Sequence, residues 1–101
     1  MASFNHVLYW LLANSLGGKN RVKILNGLFK KPQNANELSE NLKIDYKTIR
    51  FHLNILLKND CIKVVGSGYG RTYFISETLM NYRAEYEKIC HDLKKIQYSK
   101  N

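Results

Sequence analysis

The stretch from Tyr46 to Asn59 gathers side chains that could do chemistry onto one side of a helix. At about 100° per residue, Lys47, Arg50, Phe51, Asn54 and Lys58 fall in one stripe, with Ile49, His52, Leu53 and Leu56 opposite. A guanidinium such as that of Arg50 can grip a guanine edge with two hydrogen bonds, and the Asn54 amide can do the same for adenine. Lys47 and Thr48, near the helix start, suit phosphates or base edges, and Lys58 extends the cationic side. Phe51 can touch a thymine methyl group or tuck against a neighbouring helix. A helix with one apolar face and one such polar face is suited to lock into a domain and enter a DNA groove.

A second group lies in a glycine-rich segment. Ile62–Val65 and Thr72–Ile75 are rich in β-branched and aromatic residues, and Gly66-Ser67-Gly68-Tyr69-Gly70-Arg71 between them is expected as a hairpin tip. Arg71, with Tyr69 and Lys63 nearby, suits a phosphate backbone or the minor groove; a plain mobile loop has the same composition. His52 lies beside Leu53 and Leu56 and is expected to be structural. Cys61 and Cys90 form no CxxC pair and are expected as free thiols. No carboxylate cluster, nucleophile–base pair or phosphate-binding glycine loop leading into a helix is visible, so neither an enzyme nor a cofactor is expected.

Charge points the same way. Sixteen Lys and Arg against eight Asp and Glu give +8. Ten of the basic and four of the acidic residues lie between Lys19 and Lys63, five and four lie from Glu77 onward, and the first eighteen residues carry none. The middle of the chain is therefore suited to a polyanion, although a basic surface can also serve solubility alone. With 45% hydrophobic residues in 101, one folded domain is expected, 1–101. The apolar run Phe4–Leu12 is too short to span a bilayer and lacks a basic leader, so a cytoplasmic protein with no membrane partner is expected.

These groups need elements to hold them. The periodicity predicts a helix over Phe4–Asn14, with Val7, Leu8, Leu11 and Leu12 on one side and Phe4, Tyr9 and Trp10 widening it. A helix apolar nearly all round needs cover, and a subunit interface would supply it. A second helix follows Gly17-Gly18 over Lys19–Phe29 and ends at Lys30-Lys31-Pro32. A short one spans Ala35–Asn41, capped by Asn34 or Asn36, and Lys43-Ile44-Asp45 is a tight turn whose Asp45 caps the next helix. After the hairpin, Ser76 or Thr78 caps a long helix reaching Gln97. Its Leu79, Tyr82, Tyr86, Ile89, Leu93 and Ile96 recur at heptad spacing, the pattern of a helix seeking a partner helix. The expected fold is mainly α with a small β-hairpin: a winged helix-turn-helix over 19–76 between dimerisation helices over 1–18 and 77–101. The interface is expected from Phe4, Val7, Leu8 and Leu11 together with that heptad stripe.

The run Asn36-Glu37-Leu38-Ser39-Glu40-Asn41-Leu42, then Lys43-Ile44-Asp45, then Thr48-Ile49-Arg50-Phe51-His52-Leu53-Asn54-Ile55-Leu56 resembles the ArsR-type (arsenic-repressor) winged-helix transcriptional regulators. Asp60-Cys61-Ile62 continues the likeness, with Asp60 and Cys61 where that family more often has glycine and leucine. The resemblance covers about Lys19 to Ile75. It implies a homodimer joined by the first and last helices that binds a two-fold symmetric operator on double-stranded DNA and represses genes. Metal sensing, common in that family, is not implied: Asn34 and Asn36 stand where one family site has a Cys-x-Cys pair, and of a second site only His91, beside Cys90 and Asp92, remains. Amides do not replace thiolates for a soft metal. A sequence-specific DNA-binding regulator is thus expected. The alternative is a protein-interaction module within a larger assembly, which salt-dependent duplex binding would separate.

Overall fold

The computed structural model describes residues 3–14 and 16–99, without the side chains of Tyr69 and residues 96–99. The order is α1 (Phe4–Ala13), α2 (Gly18–Lys30), α3 (Ala35–Leu42), α4 (Tyr46–Lys58), β1 (Ile62–Val65), a 3₁₀ turn (Gly68–Gly70), β2 (Thr72–Ile75), α5 (Glu77–Asn81) and α6 (Arg83–Ser99). This is the expected mainly helical fold with one hairpin.

Local chemistry sets most of the helix starts. Ser3 accepts the His6 N–H at the head of α1. At α3, Asn34 accepts the Glu37 N–H while Glu37 reaches back to the Asn34 N–H, a capping box that selects Asn34 over Asn36. Ser76, not Thr78, caps α5 by accepting the Leu79 N–H. The turn between α3 and α4 has Lys43 in the left-handed region at φ 57, and Ser39 ties it down by donating to the Ile44 carbonyl at 2.6 Å. At the α1–α2 joint, a Cβ on Gly18 would collide with the Leu12 carbonyl, so only glycine lets the two helices meet this closely.

The hairpin pairs Ile62 with Ile75 and Val65 with Thr72. A third segment joins it: Gln33 forms an antiparallel bridge with Tyr73, its N–H donating to the Tyr73 carbonyl at 3.3 Å and its carbonyl accepting the Tyr73 N–H at 2.9 Å. The buried Gln33 side chain donates to the Gly27 carbonyl and accepts from Asn41. Sequence reasoning gave Gln33 no role, yet it fastens the wing to the α2–α3 link.

One core runs through the chain. Leu8, Leu11 and Leu12 of α1 meet Ile24, Leu25 and Leu28 of α2, Leu38 of α3, Ile49, Leu53 and Leu56 of α4, and Tyr73, Ile75, Leu79, Tyr86 and Ile89. Two expectations change here. The single final helix is two, because the Tyr82 N–H turns back to the Leu79 and Met80 carbonyls and the Tyr82 ring settles 4.9 Å from that of Phe4. The heptad stripe is therefore not one continuous seam. Within it, Leu79, Tyr86 and Ile89, like Leu8 and Leu11 of α1, are buried in their own core. Phe4, Val7 and Leu93 are only partly buried, as is Tyr82. The Ile96 side chain lies outside the described residues.

Candidate nucleic-acid interface

The candidate site is built on α4, which must be rigid before it can present anything. Its start is fixed by Asp45, which accepts the Thr48 N–H at 3.1 Å and the Thr48 hydroxyl at 2.6 Å. Those bonds hold the Asp45 carboxyl below its ordinary range and keep a negative charge at the helix's positive end. They also occupy the one hydrogen the Thr48 hydroxyl can donate. Thr48 therefore serves the cap, and a phosphate would find its hydroxyl already committed.

The inner face is locked. Ile49, Leu53 and Leu56 are fully enclosed, and His52 is buried beside them. One ring nitrogen is engaged: Arg21 of α2 brings its Nη1 to 3.2 Å from His52 Nδ1, so Nδ1 accepts and the ring proton sits on Nε2. Burial first, and the nearby Arg21 charge second, push His52 below its ordinary 6.5. Arg21 is itself 3% exposed and donates from Nε to the Leu11 carbonyl at 2.9 Å. That carbonyl lies in the last turn of α1, which has no basic residue of its own, so Arg21 supplies the cation that a helix C-terminus favours. One of the ten cations of the basic middle stretch is thus internal, not a surface charge.

The outer face is open. Lys47, Asn54 and Lys58 are exposed, and Phe51 is 60% exposed. Phe51 stands out from the domain apart from an edge-on contact with the His52 ring. Arg50 differs from its neighbours on the stripe: it is half-buried, with Nη1 donating to the Tyr46 hydroxyl at 3.2 Å. Lys63 and Arg71 are exposed on the wing, Lys63 with its ammonium over the Phe74 ring. Tyr69 belongs to the 3₁₀ turn at the tip, and its side chain lies outside the described residues. A groove of about 840 Å³ runs between the start of α3, the first turns of α4 and the wing tip. Sequence reasoning placed Arg50 and Arg71 in separate groups, and the fold sets both on the walls of this groove.

Other chemistry can be placed briefly. Cys61 is a buried free thiol pushed up to about 12 by burial, and Cys90 is a half-buried one, raised mainly by burial. Asn34 and Asn36 are engaged at the start of α3, with Glu37 and Glu40 respectively. Among the described residues no three His, Cys, Asp or Glu side chains converge where a metal could sit. No helix among them is long and apolar enough to cross a membrane.

The family model for bacterial regulatory proteins of the arsR family matches residues 18–63, from the first residue of α2 into β1. No curated protein matches the chain. Among solved structures, the Staphylococcus aureus MarR solved in complex with salicylate and kanamycin is 26% identical, with a TM-score of 0.61 over 79% of this chain and 54% of that one. This chain thus spans about half of that protein's length. A MarR transcriptional regulator from Methanosarcina mazei matches at TM-score 0.72 and 19% identity over 95% of this chain and 67% of that one. An ArsR-like transcriptional regulator from a Rhodococcus species matches at 0.60 and 22% over 94% and 81%. The stretch recognised by sequence is the three helices α2, α3 and α4 with the first two residues of β1, and the likeness in structure extends over nearly the whole chain. Residues 18–63 thus match the arsR family of bacterial regulatory proteins, and the chain has the winged-helix fold that these solved structures share.

Proposed function

We propose that the protein is a sequence-specific regulator of transcription that binds double-stranded DNA as a homodimer, in the cytoplasm, and represses by occupying an operator. The observation that carries this reading is the division of α4: Ile49, His52, Leu53 and Leu56 are buried while Lys47, Phe51, Asn54 and Lys58 are exposed. In this reading α4 enters the major groove, with Asn54, Lys47 and Phe51 at base edges and Lys58 toward the backbone. The wing, with Lys63, Tyr69 and Arg71, follows the backbone or the neighbouring minor groove.

Dimerisation is supported by what α1 leaves uncovered. Tyr9 and Trp10 are 48% and 55% exposed, and Phe4, Val7 and Leu93 are only partly covered by their own chain. A second copy laid along α1 and α6 would cover them and would set two α4 helices about one DNA turn apart.

Selection of bound duplexes from a random pool, run with the Asn54→Ala variant alongside, tests the reading. The expected result is a palindromic site whose preference at one position relaxes in the variant. Salt-sensitive retention without any enriched sequence would replace sequence reading with architectural binding. No retention at low salt would overturn the DNA reading in favour of a protein-interaction module.

A further inference from the structure

Arg50 has the residue type of a base reader but not the posture of one. Its guanidinium folds back one turn along α4, with Nη1 donating to the Tyr46 hydroxyl at 3.2 Å and its carbon 5.9 Å from the Tyr46 ring centre. The side chain is half-buried, whereas Phe51 and Asn54, on the same stripe, stand clear. With its guanidinium held back on the Tyr46 hydroxyl, Arg50 does not extend outward from α4 as Phe51 and Asn54 do. Base edges lie at the floor of a groove about 8.5 Å deep, which only a side chain extended outward can reach. Phosphates line the rim.

Three further observations concern what Arg50 faces. Its Nε is buried without a hydrogen-bond partner among the described residues, and buried donors in folded proteins are rarely left unsatisfied. The groove beside it, about 840 Å³, is walled by Asn34 and Asn36 of the α3 start, Tyr46 and Arg50 of α4, and Gly68 and Arg71 of the wing. No Asp or Glu lines it among the described residues, so both guanidiniums face the groove without a carboxylate to neutralise them. The start of α3 is already closed by its own capping box and adds only amide groups. What remains is a cleft lined by two guanidiniums, and guanidiniums are matched to the oxygens of a phosphate.

We propose that Arg50 and Arg71 close on one backbone phosphate in the groove between α4 and the wing, so that Arg50 fixes the register of the helix on DNA and does not read a base. This rests on the DNA-binding reading above. Base discrimination then belongs to Lys47, Phe51 and Asn54, and the wing is held to the recognition helix through the phosphate they share.

The test is fluorescence-anisotropy titration of the full chain on a short duplex from the selection, over a range of salt, with Arg50→Ala, Arg71→Ala and the double variant. The same duplex is also made with single neutral methylphosphonates. Each arginine variant is expected to bind about tenfold more weakly on the selected duplex and on base-substituted versions alike, with the salt slope reduced by about one per arginine. One methylphosphonate position in each half-site is expected to abolish the effect of both variants. Arg50→Lys, which keeps the charge on a good helix former, is expected to retain most of the salt slope and so separates a lost contact from a lost fold. Relaxed preference at a single base pair in Arg50→Ala would overturn the clamp in favour of a guanine contact while leaving the DNA reading intact. Effects that map to two different phosphates would overturn it equally. Failure of the unmodified protein to bind duplex at low salt would remove the reading beneath it as well, an outcome distinct from the other two.

Discussion

The helices α4 and α6 both belong to a basic chain, yet they dispose of charge in opposite ways. On α6 two of the four cations are paired within the helix: Arg83 meets Glu87 at 3.1 Å and Lys88 meets Asp92 at 3.5 Å, each one turn apart. Arg83 also lies over the Phe29 ring. On α4 there is no carboxylate in the whole length of the helix, and the acid nearest its start, Asp45, is engaged by Thr48. Lys47 and Lys58 consequently have no ion pair among the described residues. What an incoming polyanion meets is decided by which cations lack partners, and a tally of lysines and arginines does not show that.

The comparison can be broken at its base by loosening the helix that displays the free charges. Leu53 is fully enclosed beneath the crest, so Leu53→Ala should destabilise the fold by about 2–5 kcal/mol, read as a lower denaturation midpoint. A midpoint unchanged within error would mean that α4 is not anchored as described. Matched charge reversals sharpen the contrast. Lys58→Glu and Lys88→Glu change net charge equally, but the first should weaken duplex binding about tenfold or more and the second by no more than about twofold. Equal losses would show that only total charge matters.

A smaller effect follows from the histidine that holds the inner face of α4. Because His52 is held below its ordinary 6.5 in the fold, the unfolded chain takes up a proton there more readily than the folded one. Stability is therefore complete above that value and declines as the pH falls below it. Urea midpoints measured from about pH 7 to about pH 5 should fall, and His52→Gln should flatten that part of the profile. The smallest effect is expected at the turn entering α4. Lys43→Gly relieves a left-handed lysine and should raise stability by about 0.5–1 kcal/mol, seen as a slightly higher thermal midpoint. Asp60→Gly should gain less although Asp60 has φ 59, because the Asp60 carboxylate accepts the Thr78 hydroxyl at 2.6 Å.

What sequence could show depended on whether the cause was local. The α4 stripe, the Asp45 cap and the two strands of the hairpin follow from neighbours a few residues apart, and each lies where the spacing put it. The left-handed Asp60 gives a physical reason why glycine would suit that position. The break at Tyr82 was invisible because no proline or glycine marks it and the heptad spacing runs straight through; a ring from α1, almost eighty positions earlier, accompanies the turn. Arg21 counted as one more surface cation because nothing beside it in sequence announces the Leu11 carbonyl or the His52 ring. The posture of Arg50 depends on Tyr46, one turn away and detectable in principle, but its groove needs the wing. The spacing of Tyr46 and Arg50 was a usable signal, and the proximity of Arg71 was not.

Arg21 has a mechanical consequence. A single planar group reaches the tail of α1 through Nε and the inner side of α4 through Nη1, while its own stem stands on α2. Three struts meet at that pin, so the angle of α1 and the seating of α4 are a single setting of the molecule. A lysine could not serve there, since one ammonium cannot span both acceptors in the fixed geometry of a fork. Any load applied to the outer side of α1, such as a second copy pressing on Trp10, would be carried through the pin to the underside of α4.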